Sequence, residues 1–397
     1  MIASLADLLH PHDPGLLLAA ASDNRRLLLR TGRAAAFARL LPWERLNDLI
    51  TPDRLLAGDV EFARDGMILP PEMTIVRPRG RAAMRLNTQA IEQYCRQGIS
   101  VIIKSLQRLD TGIECLNAIV EREFRAVVHA NLYAGFGGGG AFKPHWDEHD
   151  VLVLHLQGRK QWQCWGQPWA APTERSKFPV PKDLGHPEWE AVLEPGDTLY
   201  LPRGEVHAAW VVDGGDSLHL TVGIAPPRIE ALTAAMARAC EAEPLGRQNL
   251  PILAEAGDRD AWMAAAKLLL HRAVDNLDLD QVLTALDRAR EPLPPGFPGF
   301  ARRLAAGTIV TSTLPRRLPL SAEIGGGSIE VRAGSRTWTI DSTERDVLVQ
   351  VQRHHSRSLA ELLDVLAPTD ETAVRQAVQK LVGKGLAKLL GGVAPPA

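Results

Sequence analysis

The sequence predicts a mainly β domain of antiparallel sandwich or jelly-roll type, followed by a helical segment and then a smaller mixed module. Three observations carry this expectation. Short β-rich runs separated by glycine and proline turns fill the stretch from Arg125 to Pro226. Apolar residues at three- and four-residue steps take over after Pro226-Pro227. A segment with four prolines in ten residues, Glu291 to Phe300, cannot continue a helix and marks a further boundary. The resulting expectation is three domains, 1–227, 228–300 and 301–397.

Taken in order, Leu5 to Arg125 mixes short helical patterns with strand-like pieces such as Thr74 to Arg77 and Ser100 to Ser105, and reads as a lead-in to the larger domain. The β-rich runs are Ala126–Leu132, Val151–Leu156, Gln161–Trp165, Asp197–Leu201 and Leu218–Ile224. No regular helical pattern separates them, which favours antiparallel layers over a parallel α/β sheet. Helices are expected at Ile229–Cys240, Asp260–Val274 and Leu279–Arg290. Beyond Arg302 the pattern is strand-like at Ile329–Arg332 and Thr337–Ile340, helical at Thr343–His354, Ser358–Val365 and Glu371–Lys384, and strand-like again at Leu386–Leu390. That order resembles a winged helix.

Composition excludes several functions. The 397 residues carry 45 basic and 47 acidic side chains, so no large basic field exists to attract nucleic acid. From Thr337 to the end, seven basic residues face seven acidic ones, which argues against direct nucleic-acid binding by the last module. Cys95, Cys115, Cys164 and Cys240 form no CxxC pair and read as reduced thiols of a cytoplasmic protein. Met1 to Ala21 carries Asp7, His10, His12 and Asp13, so no signal peptide is expected, and no window is apolar enough for a membrane span.

The chemistry sits in two segments. Gly139-Gly140-Ala141-Phe142-Lys143-Pro144-His145-Trp146-Asp147 places a histidine and an aspartate one residue apart after a glycine-rich loop, where an extended chain points both side chains to one face. Gly196-Asp197-Thr198-Leu199-Tyr200-Leu201-Pro202-Arg203-Gly204-Glu205-Val206-His207 supplies a second histidine. Together they resemble the paired motifs of the cupin barrel, with Gly158 where a later glycine is expected. Val151 stands where many cupins carry a glutamate ligand, and Asp147 replaces a histidine. Two histidines and one carboxylate bind one face of an octahedral ion and leave the other open to a bidentate organic acid and dioxygen, which suits iron(II) better than zinc.

With Glu148-His149-Asp150-Val151, the run Leu156-Gln157-Gly158-Arg159-Lys160-Gln161-Trp162 and His207 at 62 positions beyond His145, the chain resembles the JmjC-type, cupin-fold ribosomal oxygenases. The resemblance implies a JmjC double-stranded β-helix, a helical dimerisation domain and a C-terminal winged helix, hence a homodimer. It implies iron(II) held by His145, Asp147 and His207, with 2-oxoglutarate and dioxygen as co-substrates. It places Lys160 against the far carboxylate of 2-oxoglutarate, a group that needs a charge-assisted partner once stripped of water. Asn131 and Tyr133 match further co-substrate positions by spacing, and Thr221, on the strand after His207, is expected to add a hydroxyl to the same carboxylate. The expected reaction is hydroxylation of a protein or peptide side chain, a ribosomal protein's arginine or histidine being the target class in such enzymes.

Two alternatives stay open: a non-enzymatic regulator with an inert cupin, and a metal-dependent cupin acting on a small molecule without 2-oxoglutarate. His149 and His155 read as structural, since a fourth protein ligand would close a position that dioxygen needs. Trp162, Trp165 and Trp169 read as sheet packing. Phe142 and Lys143 are expected to border the pocket.

Overall fold

The computed structural model describes residues 2, 4–50, 55, 57–76, 85–173, 175–176, 178–294, 304–320, 328–368 and 370–390. It divides into two compact units, Met1–Ala225 and Pro226–Ala397.

In the first unit the strands are β1 (Leu27–Arg30), β2 (Val60–Arg64), β3 (Met67–Ile68), β4 (Ile75–Val76), β5 (Arg85–Leu86), β6 (Ser100–Ile103), β7 (Val127–Phe136), β8 (Asp150–Gln157), β9 (Lys160–Cys164), β10 (Trp189–Leu193), β11 (Asp197–Leu201), β12 (His207–Val211) and β13 (Asp216–Ala225). Eight form one sheet in the order β1-β11-β8-β13-β7-β6-β2-β3, and β10-β9-β12 form a second. Every pairing in both is antiparallel. The expected antiparallel layers are present.

The lead-in is more than a lead-in. It supplies β1, β2, β3 and β6, half of the large sheet. Of these, β6 falls in the stretch Ser100–Ser105 that the sequence marks as strand-like, whereas β1, β2 and β3 are too short for a two-residue alternation to stand out. The helix Thr111–Phe124 is started by Asp110, whose carboxylate accepts the N–H groups of Gly112 and Ile113. Its apolar residues Ile113, Leu116, Ile119 and Val120 are buried in the core that also holds Leu132, Leu154 and Leu220. Each such side chain contributes about 1.5–3 kcal/mol. The helix ends at Arg125 in a left-handed conformation (φ 47°), from which the chain turns into β7.

The turn from β8 to β9 depends on Gly158. Its φ is +71°, and a Cβ there would stand 1.9 Å from the carbonyl oxygen of Asp216. Only glycine fits both demands. That turn delivers Lys160 to the start of β9.

The second unit contains the helices Ile229–Ala242, Ala256–Asp275 and Leu279–Ala289, over the three stretches where the apolar spacing places them. It continues with β14 (Ile309–Ser312), β15 (Ile329–Ala333), β16 (Arg336–Ile340), β17 (Ser356–Ser358) and β18 (Ala387–Leu390), and with helices Ser342–His354, Leu359–Leu366 and Glu371–Gly383. Asp341 with Glu344, and Ser358 with Glu361, form capping boxes at two of these helices. Strands β17-β14-β18 form one sheet and β15-β16 a hairpin. Their core includes Val310, Leu348, Val351, Leu362, Val378 and Leu381. Residues 295–300 of the proline-rich segment, and with them the expected boundary at 300, lie outside the described residues.

Candidate metal centre

The two motif segments meet as an antiparallel bridge. The N–H of His145 donates to the carbonyl of His207 at 3.0 Å, and the N–H of His207 donates back at 2.8 Å. One residue pair thereby fixes two imidazoles side by side, with ring centroids 4.5 Å apart. The N–H of Gly204 donates to the carbonyl of Asp147 at 3.0 Å and holds the aspartate against the same turn. The stretch from His145 to Asp147 is therefore not a ladder strand, as the one-face argument assumed, but an extended loop pinned at both ends.

Among the described residues, His145, Asp147 and His207 form the one cluster of three or more metal-ligating side chains, with ligand atoms all within 4.8 Å of one another. Nε2 of His207 lies 3.7 Å from a carboxylate oxygen of Asp147. The Nδ1 of His145 bonds the carbonyl of Lys143 at 2.8 Å, and that of His207 the carbonyl of Glu205 at 2.9 Å. Donation from Nδ1 to a carbonyl leaves Nε2 as a lone-pair donor, the tautomer a metal needs. Burial, then the neighbouring His145, pushes the His207 pKa down to about 4, opposed by Asp147. The ring is neutral near pH 7 and ready to ligate. By donor type, tautomer and spacing, these residues fit a divalent ion with open positions.

The N-terminal strand region braces this turn. Arg26 pairs with Glu205, whose carbonyl orients His207, and the Arg26 guanidinium also lies 5.1 Å from the Trp189 ring centroid. An Arg26–Glu205 pair so little exposed is strongly destabilised if one partner is removed.

Between the two sheets lies a cavity whose walls include His145, Asp147, His207, Tyr133, Lys160 and Thr221. Six of the seven sequence-nominated site residues thus share one cavity. Asn131 does not line it. Its Oδ1 accepts the N–H of Ser105 at 3.0 Å, and its amide acts on the Tyr133 phenol. Thr221 stands opposite Asn131, and His219 opposite Tyr133, on paired β13 and β7.

Lys160 is 3% exposed and has no hydrogen-bond or ion-pair partner among the described residues. Burial pushes its pKa down to about 7. A buried cation without an anion is costly, and an anion entering the cavity would relieve that cost. Burial, then Asp147, raises the Tyr133 phenol and keeps it protonated as a donor.

Further residues line the cavity, Phe142 as expected and most of the others not foreseen. His219, Trp162, Phe142, Val151, Ala141 and Ala209 complete the wall. Trp162 does pack the sheet, at 4% exposure, but it also stacks against His207 at 5.8 Å and 22°. Phe142 was legible from its place before His145, Ala141 precedes it in the same motif, Val151 follows Asp147 by four residues and Trp162 reads as sheet packing; His219 and Ala209 come from β13 and β12, where no local signal marks them. His149 packs on His129 at 4.9 Å and His155 bonds the carbonyl of Gly158, so neither is a ligand of the cluster.

Comparison with known proteins agrees with this geometry. A family model described as the JmjC domain matches residues 104–232. The bifunctional lysine-specific demethylase and histidyl-hydroxylase NO66 of Caenorhabditis elegans is 30% identical over 204 residues, 49% of this chain and 26% of that protein. Ribosomal oxygenase 1 of Bos taurus is 36% identical over 151 residues, 37% of this chain and 22% of the relative. The chain thus spans about a quarter of the length of these curated relatives. Among solved structures, Escherichia coli ycfD superposes with a TM-score of 0.57 at 16% identity, over 96% of this chain and 99% of that one. The structure of YcfD, a ribosomal oxygenase from Escherichia coli in complex with cobalt and 2-oxoglutarate, gives 0.52 at 16% identity, over 92% and 95%. Likeness at that identity shows a shared fold: a JmjC/cupin architecture with a large antiparallel sheet and helices.

Proposed function

We propose that this chain, whose residues 104–232 match the JmjC domain, is an iron(II)- and 2-oxoglutarate-dependent oxygenase that hydroxylates a side chain of a protein or peptide. The observation that carries the reading is one cavity holding both a His145–Asp147–His207 cluster and the buried amine of Lys160, which has no partner among the described residues. Iron(II) with 2-oxoglutarate supplies, when bound, the oxidation that puts one atom of dioxygen into a C–H bond while 2-oxoglutarate becomes succinate and carbon dioxide.

The chain's own residues then have definite tasks. His145, Asp147 and His207 hold the ion on one face. Lys160 receives the far carboxylate, and the low polarity that depresses its pKa makes that pairing strong. Tyr133 and Thr221 present hydroxyl groups to the same ligand, while Asn131 orients Tyr133. Trp162 and Phe142 keep water from the reacting face.

A larger groove of about 500 Å³ adjoins the cavity and shares Phe142 and Ala209 with it. It is walled by Trp165, Trp210 and the glycine run 138–140, and rimmed by Arg64, Asp65 and Lys143. An open groove leading to the metal suits a polypeptide target better than a small molecule. The likeness to ribosomal oxygenases makes a ribosomal protein, at arginine or histidine, the first target class to try.

We further infer three domains, 1–227, 228–300 and 301–397, the second joining two copies and the third a winged helix. Exposed Ile229, Leu250, Ile252, Leu253, Leu268 and Leu279 across the helical segment support a homodimer contact. In the last long helix and just after it, Arg375 bonds the carbonyl of Leu304, Lys380 pairs with Asp341 and Lys384 with Glu344. These ties engage three of the basic side chains of that module within the fold. Among the described residues no helix is long and apolar enough to cross a membrane, and the four free cysteines suit a cytoplasmic setting.

The test incubates the iron-loaded protein with purified ribosomal proteins, 2-oxoglutarate and air. A mass gain of one oxygen on a target, dependent on 2-oxoglutarate and absent with Asp147→Ala, is expected. Turnover of 2-oxoglutarate stimulated only by small molecules would overturn the protein-hydroxylase reading.

A further inference from the structure

Tyr133, His219 and His155 stand in one row across β7, β13 and β8, because His219 is in register with Tyr133 on one side and His155 on the other. The rings of Tyr133 and His219 stack at 5.0 Å and 8°, and those of His219 and His155 at 6.3 Å and 15°. The outer ring is fixed in turn, since His155 bonds the carbonyl of Gly158 at 3.0 Å. The plane of His219 is therefore held from both sides.

His219 also lines the cavity at 2% exposure. Its Nδ1 is buried without a partner, and among the described residues no hydrogen bond reaches its other ring nitrogen. An imidazole held so firmly with nothing to bond is a costly arrangement, and such a group calls for a ligand or water that satisfies it. Trp162 stands between it and the metal cluster, 5.7 Å from His219 edge-on and 5.8 Å from His207 face-on. Lys160 is near enough to act on its charge, and burial together with that cation holds the ring neutral. Thr221, two residues along β13, lines the same cavity.

We propose that His219 is a carboxylate-positioning residue: its neutral ring donates one N–H to the far carboxylate of the bound 2-oxo acid, beside the Lys160 ammonium and the Thr221 hydroxyl. This rests on the oxygenase reading above and adds to it a donor that neither the motifs nor their spacing reveal. A neutral imidazole has a single N–H to give, so it sharpens the direction of the carboxylate without adding charge. The stacked row makes that direction rigid before the ligand arrives.

The test is calorimetric titration of 2-oxoglutarate, and separately of pyruvate, into the zinc-loaded protein. Pyruvate keeps the 2-oxo acid that faces the metal and lacks the far carboxylate. His219→Phe keeps a stacking ring and removes the donor. It is expected to weaken 2-oxoglutarate roughly tenfold to a hundredfold and to leave pyruvate within about twofold, while His219→Gln recovers most of the lost affinity through its amide N–H. Equal loss for both ligands, or loss for neither, overturns the proposal. Wild type that binds no 2-oxoglutarate overturns the oxygenase reading and the proposal with it; wild type that binds, with His219→Phe indistinguishable, overturns the proposal alone. A second measurement needs no variant: the ¹⁵N resonances of the His219 ring in the zinc-loaded wild type are expected to shift with 2-oxoglutarate and not with pyruvate, and a ring unmoved by 2-oxoglutarate contradicts the assignment.

Discussion

At the residue scale the buried Lys160 sets the terms. Its folded pKa of about 7 lies below the ordinary 10.5, so between those values the unfolded chain binds more protons. Stability of the ligand-free protein should therefore rise with pH through that window and carry its full penalty below about 7. Thermal melts from pH 6 to 9 read this directly; a Tm that falls steadily over that range counts against a strained lysine. An arriving carboxylate restores the charged form, so binding at pH 8 should take up about one proton, seen as a dependence of binding heat on the buffer. Lys160→Met should raise the Tm of the ligand-free protein by a few degrees while weakening 2-oxoglutarate at least tenfold. The cluster of His145, Asp147 and His207 was legible in the sequence because a facial triad needs specific residue types at fixed offsets. His219 was not, because a lone histidine on a strand looks the same whether it packs or binds, and only pairing with Tyr133 and His155 distinguishes it.

Among elements, the turn at Gly158 links the fold to the site. Gly158→Ala puts a Cβ against the Asp216 carbonyl in a left-handed conformation, and should cost about 2–4 kcal/mol, lowering the Tm and displacing Lys160. An unchanged melt would show that the turn relaxes freely. Legibility at this scale followed length and pattern. The helix at Leu279–Ala289 and the long strands β7, β8 and β13 stand out, whereas β12 reads His-Ala-Ala-Trp-Val and has little β propensity of its own. Its place comes from pairing with β9 and from the His145 bridge. Short β1 and β2 escaped for the same reason: tertiary contacts, not local preference, make them strands.

At the scale of the whole molecule, the exposed apolar residues of the helical segment predict a dimer in sedimentation velocity. Leu268→Glu with Leu279→Glu should give a monomer that still binds iron and 2-oxoglutarate; a wild-type monomer at micromolar concentration contradicts the contact. The change of texture at Pro226-Pro227, where the chain passes from one compact unit to the other, could be read. The target could not, because the groove beside the His145–Asp147–His207 cluster is assembled from Arg64, the glycine loop and β9 and β12, segments that only folding brings together. Visible absorption of the anaerobic iron-loaded full chain reads whether one cavity takes both iron and 2-oxoglutarate. Addition of 2-oxoglutarate should produce a weak metal-to-ligand charge-transfer band that Lys160→Ala shifts to much higher ligand concentration. Stoichiometric iron with no band at any concentration of 2-oxoglutarate would contradict a shared cavity.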